Sequence, residues 1–226
     1  AVWEAVGRGA TLADLGAGNC EKAGRLIEPL EVARYAAVDI SAAHLRAALE
    51  RLQRWRPELE VTGVGIDFST TLALPAGVVT GPALVFFAGS SIGNLATDAA
   101  LRLLRDARAA AAGGALLIGV DLVKPIQVLE AAYDDALGVT AAFNLNLLRH
   151  LNRLLGADFD VRDWRHVAFF DHPASRIEMH LEARRALAVR WPAGERRFAA
   201  GERIHTEDSY KWTSAGFEAL LRDAGF

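Results

Sequence analysis

Glu207, Ser209 and Lys211 alternate along "IHTEDSYKW", residues 204–212. In an extended strand, side chains two positions apart share a face, so Glu207 and Ser209 would present a carboxylate and a hydroxyl together. A strand that only closes a core would carry apolar residues at these positions. The plainer reading is a solvated edge strand of mixed charge. Lys211 is expected to lie too far along the strand to reach the same ligand.

A second group of residues lies in the first half of the chain. In "DLGAGNCEK", residues 14–22, Gly16 and Gly18 let the backbone turn tightly and approach a ligand, with helix-start amides facing it. The third glycine of a dinucleotide fingerprint is replaced by Glu21, which argues against NAD. Asp39, 21 positions after Gly18, is placed to accept from both ribose hydroxyls. Asp67 can accept from an adenine amino group while Phe68 flanks the ring. Each aspartate alone could be a cap or a turn residue, and the glycines a tight turn. Together they mark the carboxyl edge of a parallel sheet, where ligands of such sheets bind. With no Walker lysine pattern, S-adenosylmethionine fits better than ATP or NAD. In "AGSSIGN", residues 88–94, Asn94 carries a donor and an acceptor suited to the polar end of an amino acid, or caps a Gly/Ser loop.

The elements that must position these residues are legible as alternation. Apolar runs at 11–15, 34–40, 60–66, 83–89 and 115–121 are separated by helical stretches such as 41–54. There Ser41 is expected to cap, and Leu45, Leu49 and Leu52 share a face. Buried strands joined by helical crossovers predict an α/β fold with a parallel sheet covered on both faces. Beyond residue 121 the pattern becomes helical (126–137 and 140–155), then hairpin-like. "RHVAFFD", the turn "HPAS" and "RIEMHL" follow, with Ile177, Met179 and Leu181 alternating with charged residues. This predicts a core over 1–125, an inserted helix-plus-antiparallel region over 126–205 that acts as a substrate cap, and a return to the core over 206–226.

Composition narrows the function. The 226 residues carry a net charge of −3 and no basic run, so neither nucleic acid nor a membrane surface is an expected partner. One cysteine, Cys20, suits a cytoplasmic protein without internal disulfides. The scattered histidines have no zinc-type spacing, so no metal is expected. The only methionine is Met179, and the first residues read directly as helix. The sequence is therefore expected to be an excerpt of a longer protein.

In order, "DLGAGNCEK", "VDIS", "GIDF", "GSSIGN", "GVDLVK", "AAYDDALGVTAAFNLNLLRHLNRLLGADFD", "RIEMHL" and "TEDSYK" closely resemble the histidine-specific Nα-methyltransferases that make hercynine in ergothioneine biosynthesis. The resemblance spans essentially the whole chain and implies a Rossmann-like methyltransferase fold with S-adenosyl-L-methionine as co-substrate. It implies that Gly16, Gly18, Lys22, Asp39, Asp67, Phe68 and Gly89 contact the cofactor. Asn94 and Tyr133 would hold the backbone groups of histidine and stand as the catalytic pair. Glu207 and Ser209 would grip the imidazole, with Met179 nearby. A carboxylate and a hydroxyl can together serve the two ring nitrogens. A small amino-acid acceptor and a monomer are implied. The rival readings are methylation of another amino acid such as tryptophan, and a non-catalytic S-adenosylmethionine-binding module.

Overall fold

Five apolar runs form one parallel sheet: β1 (Thr11–Leu15), β2 (Arg34–Asp39), β3 (Glu60–Gly65), β4 (Ala83–Phe87) and β5 (Ala115–Ile118), in the order β3-β2-β1-β4-β5. The computed structural model describes residues 6–226, so the expected opening helix lies outside the described residues. All five residues of β1 are buried, as a central strand covered on both faces must be. Helices α1 (Glu21–Ile27), α2 (Ala42–Trp55) and α3 (Thr97–Ala110) make three of the crossovers, while residues 66–82 join β3 to β4 without a helix. Strand order reverses between β1 and β4, so the loops after these strands diverge and leave a crevice at their carboxyl ends.

Leu45, Leu49 and Leu52 of α2 are buried together with Leu12, Tyr35 and Leu84. Gly63 of β3 allows this approach, because a Cβ there would stand 2.8 Å from Leu49 Cδ1. Ser41 makes no side-chain cap to α2. Asp39 Oδ1 accepts from the Ser41 amide at 2.9 Å, in an Asx-type turn just ahead of the helix.

The chain divides into two units, one made of the residues up to Asp121 with Thr213–Phe226, the other of Leu122–Trp212. This division falls after residues 121 and 212, and the expected boundaries stand beside it at 125 and 205. The last strand, β10 (Arg203–Tyr210), stays in the second unit because it pairs along its length with β7 (Arg176–Ala183). With β6 (Trp164–Asp171) they form an antiparallel sheet ordered β10-β7-β6. A separate hairpin, β8 (Leu187–Trp191) with β9 (Gly194–Phe198), joins the same unit. The final helix, α6 (Ser214–Asp223), is capped by Thr213 Oγ1, which accepts from Gly216 N.

Helix α4 (Ile126–Tyr133) ends before the expected residue 137. Asp135 stops it by turning its carboxylate to the next helix, α5 (Val139–Leu155), where it accepts from the amides of Val139 at 3.0 Å and Thr140 at 2.8 Å. These bonds hold the Asp135 carboxyl down at about 2. Among the described residues no helix is long and apolar enough to cross a membrane.

Candidate functional site

In the first unit the glycine loop leaves β1 at its carboxyl end. Gly16 and Gly18 have φ of 71° and 53°, the left-handed region that glycine enters without strain. Gly16 lies against Phe68, since a Cβ on Gly16 would be 3.8 Å from the Phe68 ring. Phe68 in turn meets Phe87 edge-on at 5.8 Å. The Gly18 amide donates to Asp39 Oδ2 at 3.0 Å, so the carboxylate that ends β2 also fixes the loop. Asp67 is exposed, and its Oδ1 accepts from the Ser69 hydroxyl and amide, which hold its carboxyl below the usual range. Lys22 reaches across to the loop after β4, where a Cβ on Gly89 would stand 3.1 Å from its Nζ. Asn94 is exposed in a short 3-10 turn, Ser91–Asn94.

Beneath the loop lies a group that sequence reasoning missed. Asp14 is buried inside β1 and accepts from the Tyr35 hydroxyl at 2.7 Å. Burial raises its pKa to about 6, partly opposed by the Tyr35 bond and the Lys22 charge, with Asp39 adding to the rise. The signal available in the sequence was a carboxylate inside the otherwise apolar "TLADL". Cys20 is buried beside this pair and its thiol pKa is pushed up by burial.

In the second unit, α4 packs on β7 through Leu129, Ile177 and Met179, with Tyr133 against them. Glu207 lies directly opposite Met179, and Ser209 opposite Ile177, so both share the face that meets α4. A bulge makes this so. The register slips between His205 and Glu207, leaving Thr206 as the extra residue, its hydroxyl donating to Met179 O at 2.9 Å. Without the slip, Glu207 would lie opposite Glu178 on the other face. Glu207 lines a cavity of about 260 Å³ with Phe143, Asn146 and His150 of α5.

Ser209 and Tyr133 are joined, their hydroxyl oxygens 2.7 Å apart. Lys211 is 3 % exposed and donates to both, at 2.7 Å to Ser209 Oγ and 2.8 Å to Tyr133 Oη. The strand's alternation continues through residue 211, and a four-carbon stem spans the distance back along it. The Tyr133 backbone is fixed by His166, whose Nε2 donates to Tyr133 O at 2.7 Å while Nδ1 accepts from Asn144 at 2.9 Å.

The opposite face of this sheet carries Glu178, His180 and His205, whose ligand-type atoms lie within 4.8 Å of one another. Glu178 is bonded to Arg176 and His180, and His205 to Asp208, which makes them part of an ion-pair network.

A family model described as histidine-specific methyltransferase, SAM-dependent, matches residues 1–226. A histidine N-alpha-methyltransferase of Mycolicibacterium smegmatis is 41 % identical over 222 residues, covering 95 % of this chain and 68 % of that protein. The ergothioneine biosynthesis protein 1 of Neurospora crassa is 30 % identical, over 96 % of this chain and 25 % of its own length. Among solved structures, the PH0226 protein of Pyrococcus horikoshii superposes with a TM-score of 0.50 at 14 % identity, over 97 % of this chain and 74 % of that one, a likeness of fold alone.

Proposed function

The chain belongs to the histidine-specific, S-adenosylmethionine-dependent methyltransferases, and from that premise we propose that it trimethylates the α-amino group of L-histidine, giving hercynine for ergothioneine biosynthesis. The observation that carries the choice of substrate is the inward face of β10. The bulge turns Glu207 to the side of Ser209 and Met179, so a carboxylate and a hydroxyl are presented together beside an adaptable apolar side chain. In this reading the protein is a cytoplasmic monomer, in keeping with its single buried cysteine.

The residues of the first unit fit the cofactor. Gly16 and Gly18 leave room for it, Gly89 keeps the Lys22 ammonium close, Phe68 offers a ring face, and Asp39 and Asp67 offer acceptors for hydroxyl and amino groups. The cofactor, when bound, supplies an electrophilic methyl group on a sulfonium. The chain's own work is positioning and exclusion of water, with no covalent nucleophile required. The attacking amine must be neutral, and a free α-amino group has a pKa near 8, so a proton leaves before each transfer. We assign Asn94 and Tyr133 to the backbone groups of the amino acid, and Glu207, Ser209 and Met179 to its side chain.

Mass spectrometry of the full-length protein incubated with S-adenosylmethionine and histidine should show successive methyl additions ending at the trimethylated betaine. Methylation of a ring nitrogen, or none, would count against the assignment.

Asp39→Ala should weaken S-adenosylmethionine binding by about 1–2 kcal/mol, roughly five- to thirty-fold, since it removes the proposed ribose acceptor and frees the Gly18 amide. Calorimetry reads this directly, and unchanged affinity would remove Asp39 from the cofactor site.

A further inference from the structure

We propose that Lys211 is a positioning residue that commits the Ser209 hydroxyl to donating, so that the side-chain site selects a neutral imidazole by its ring lone pair. This rests on the assignment of Glu207 and Ser209 to the side chain of the acceptor and deepens it.

Lys211 Nζ, Ser209 Oγ and Tyr133 Oη form a closed triangle with sides of 2.7, 2.8 and 2.7 Å. An ammonium has protons and no lone pair, so the lysine donates along both of its sides. Along the third side one hydroxyl donates to the other. A phenol is a stronger acid and a better donor than an aliphatic alcohol, so Tyr133 gives its proton to Ser209. Both lone pairs of Ser209 Oγ are then taken, one by Lys211 and one by Tyr133. What remains on Ser209 is a single proton, and it can only be donated.

The triangle is held from outside. The Lys211 amide donates to Ser175 O at 2.8 Å, and the Ser175 hydroxyl donates to Lys211 O at 2.8 Å. The Lys211 ammonium also lies 4.6 Å from the centroid of the Tyr133 ring, where the cation is attracted by the ring face. The Tyr133 backbone is pinned through His166.

A ligand ring that satisfies this face needs a lone pair for Ser209 and an N–H for Glu207, which only accepts when ionised. Neutral imidazole supplies both in one tautomer. Imidazolium has two N–H groups and no lone pair, so one of them would meet a donor next to a cation. An indole has the N–H alone. The Lys211 charge thus offsets that of Glu207 on the same strand face, and the site suits a neutral ring with a donor edge and an acceptor edge.

The test is the pH dependence of histidine affinity, measured by calorimetry on the full-length protein and its Lys211→Met and Lys211→Arg variants, saturated with S-adenosylhomocysteine. Wild-type affinity should fall about tenfold per pH unit below the ring pKa of about 6.5, as the lone pair is lost. Lys211→Met frees a lone pair on Ser209, so binding should be weaker at pH 8 but fall much less towards pH 5. Lys211→Arg, which keeps a cationic donor, should retain the wild-type profile. The other titratable groups around the site are Glu207 on β10, Glu130 on α4, His150 on α5 and His166 on β6. They are common to all three proteins, so the difference between profiles reports Lys211. Parallel profiles for wild type and Lys211→Met would overturn the proposal and leave Lys211 a packing residue.

Should Lys211→Met fail to fold, a wild-type measurement decides. Pyrrolylalanine, whose ring has an N–H and no ring lone pair, should bind at least tenfold more weakly than histidine at pH 8, and equal binding would overturn the proposal. If histidine itself does not bind at any pH, the substrate assignment fails first and this inference falls with it.

Discussion

Replacing Glu207 with alanine should lower kcat/KM for histidine by roughly ten- to hundred-fold while S-adenosylmethionine affinity stays within twofold. The carboxylate is proposed to accept the ring N–H, and hydrogen bonds to a charged group contribute about 1.5–3 kcal/mol. The loss should appear mainly in KM, because the bond is made equally in the ground state and the transition state, away from the reacting amine. Tryptophan should lose far less, since the variant site is larger and uncharged. Shortening Met179, directly opposite Glu207, should narrow the histidine-to-tryptophan ratio further. Steady-state kinetics on both amino acids measures the effect. An unchanged ratio would make the inward face of β10 ordinary packing.

The second large effect concerns stability. Asp14 has a folded-state pKa of about 6 against 3.8 for the free group, so the folded protein holds this proton more tightly than the unfolded chain. Its contribution is therefore fully present below about pH 4 and is lost as pH rises through about 6, a change of about 3 kcal/mol. Asp14→Asn keeps an acceptor for the Tyr35 hydroxyl and cannot ionise. Relative to wild type, the variant should gain about 2–2.5 kcal/mol between pH 4 and pH 7.5, read from urea unfolding at the two pH values. A difference independent of pH would show that Asp14 does not titrate across this window.

The glycine loop and the acidic strand ends were legible because their chemistry is local. Only glycine takes the φ of Gly16 without strain, and Asp39 acts on Gly18 and Ser41 from the end of its own strand. The parallel sheet was legible because strands buried on both faces read as apolar runs. Tertiary and irregular features were not. The bulge at Thr206 leaves no mark in the residue alternation, yet it decides which face Glu207 takes. Tyr133 and Ser209 are 76 positions apart, and only the packing of α4 on β7 brings their hydroxyls together. The bonds of Lys211 to both hydroxyls were not legible, because strand spacing does not show how far a long side chain reaches back. Helix α4 was drawn too long because Asp135 serves the helix that follows it.

The most direct measurement is a competition. The full-length protein is given labelled S-adenosylmethionine with equal concentrations of histidine, tryptophan and phenylalanine, at limiting conversion, and the products are separated. The account predicts label in histidine, on the α-nitrogen, in excess over tryptophan by at least the factor that Glu207→Ala removes. Label distributed equally among the three amino acids, or carried by one of the other two, would contradict it.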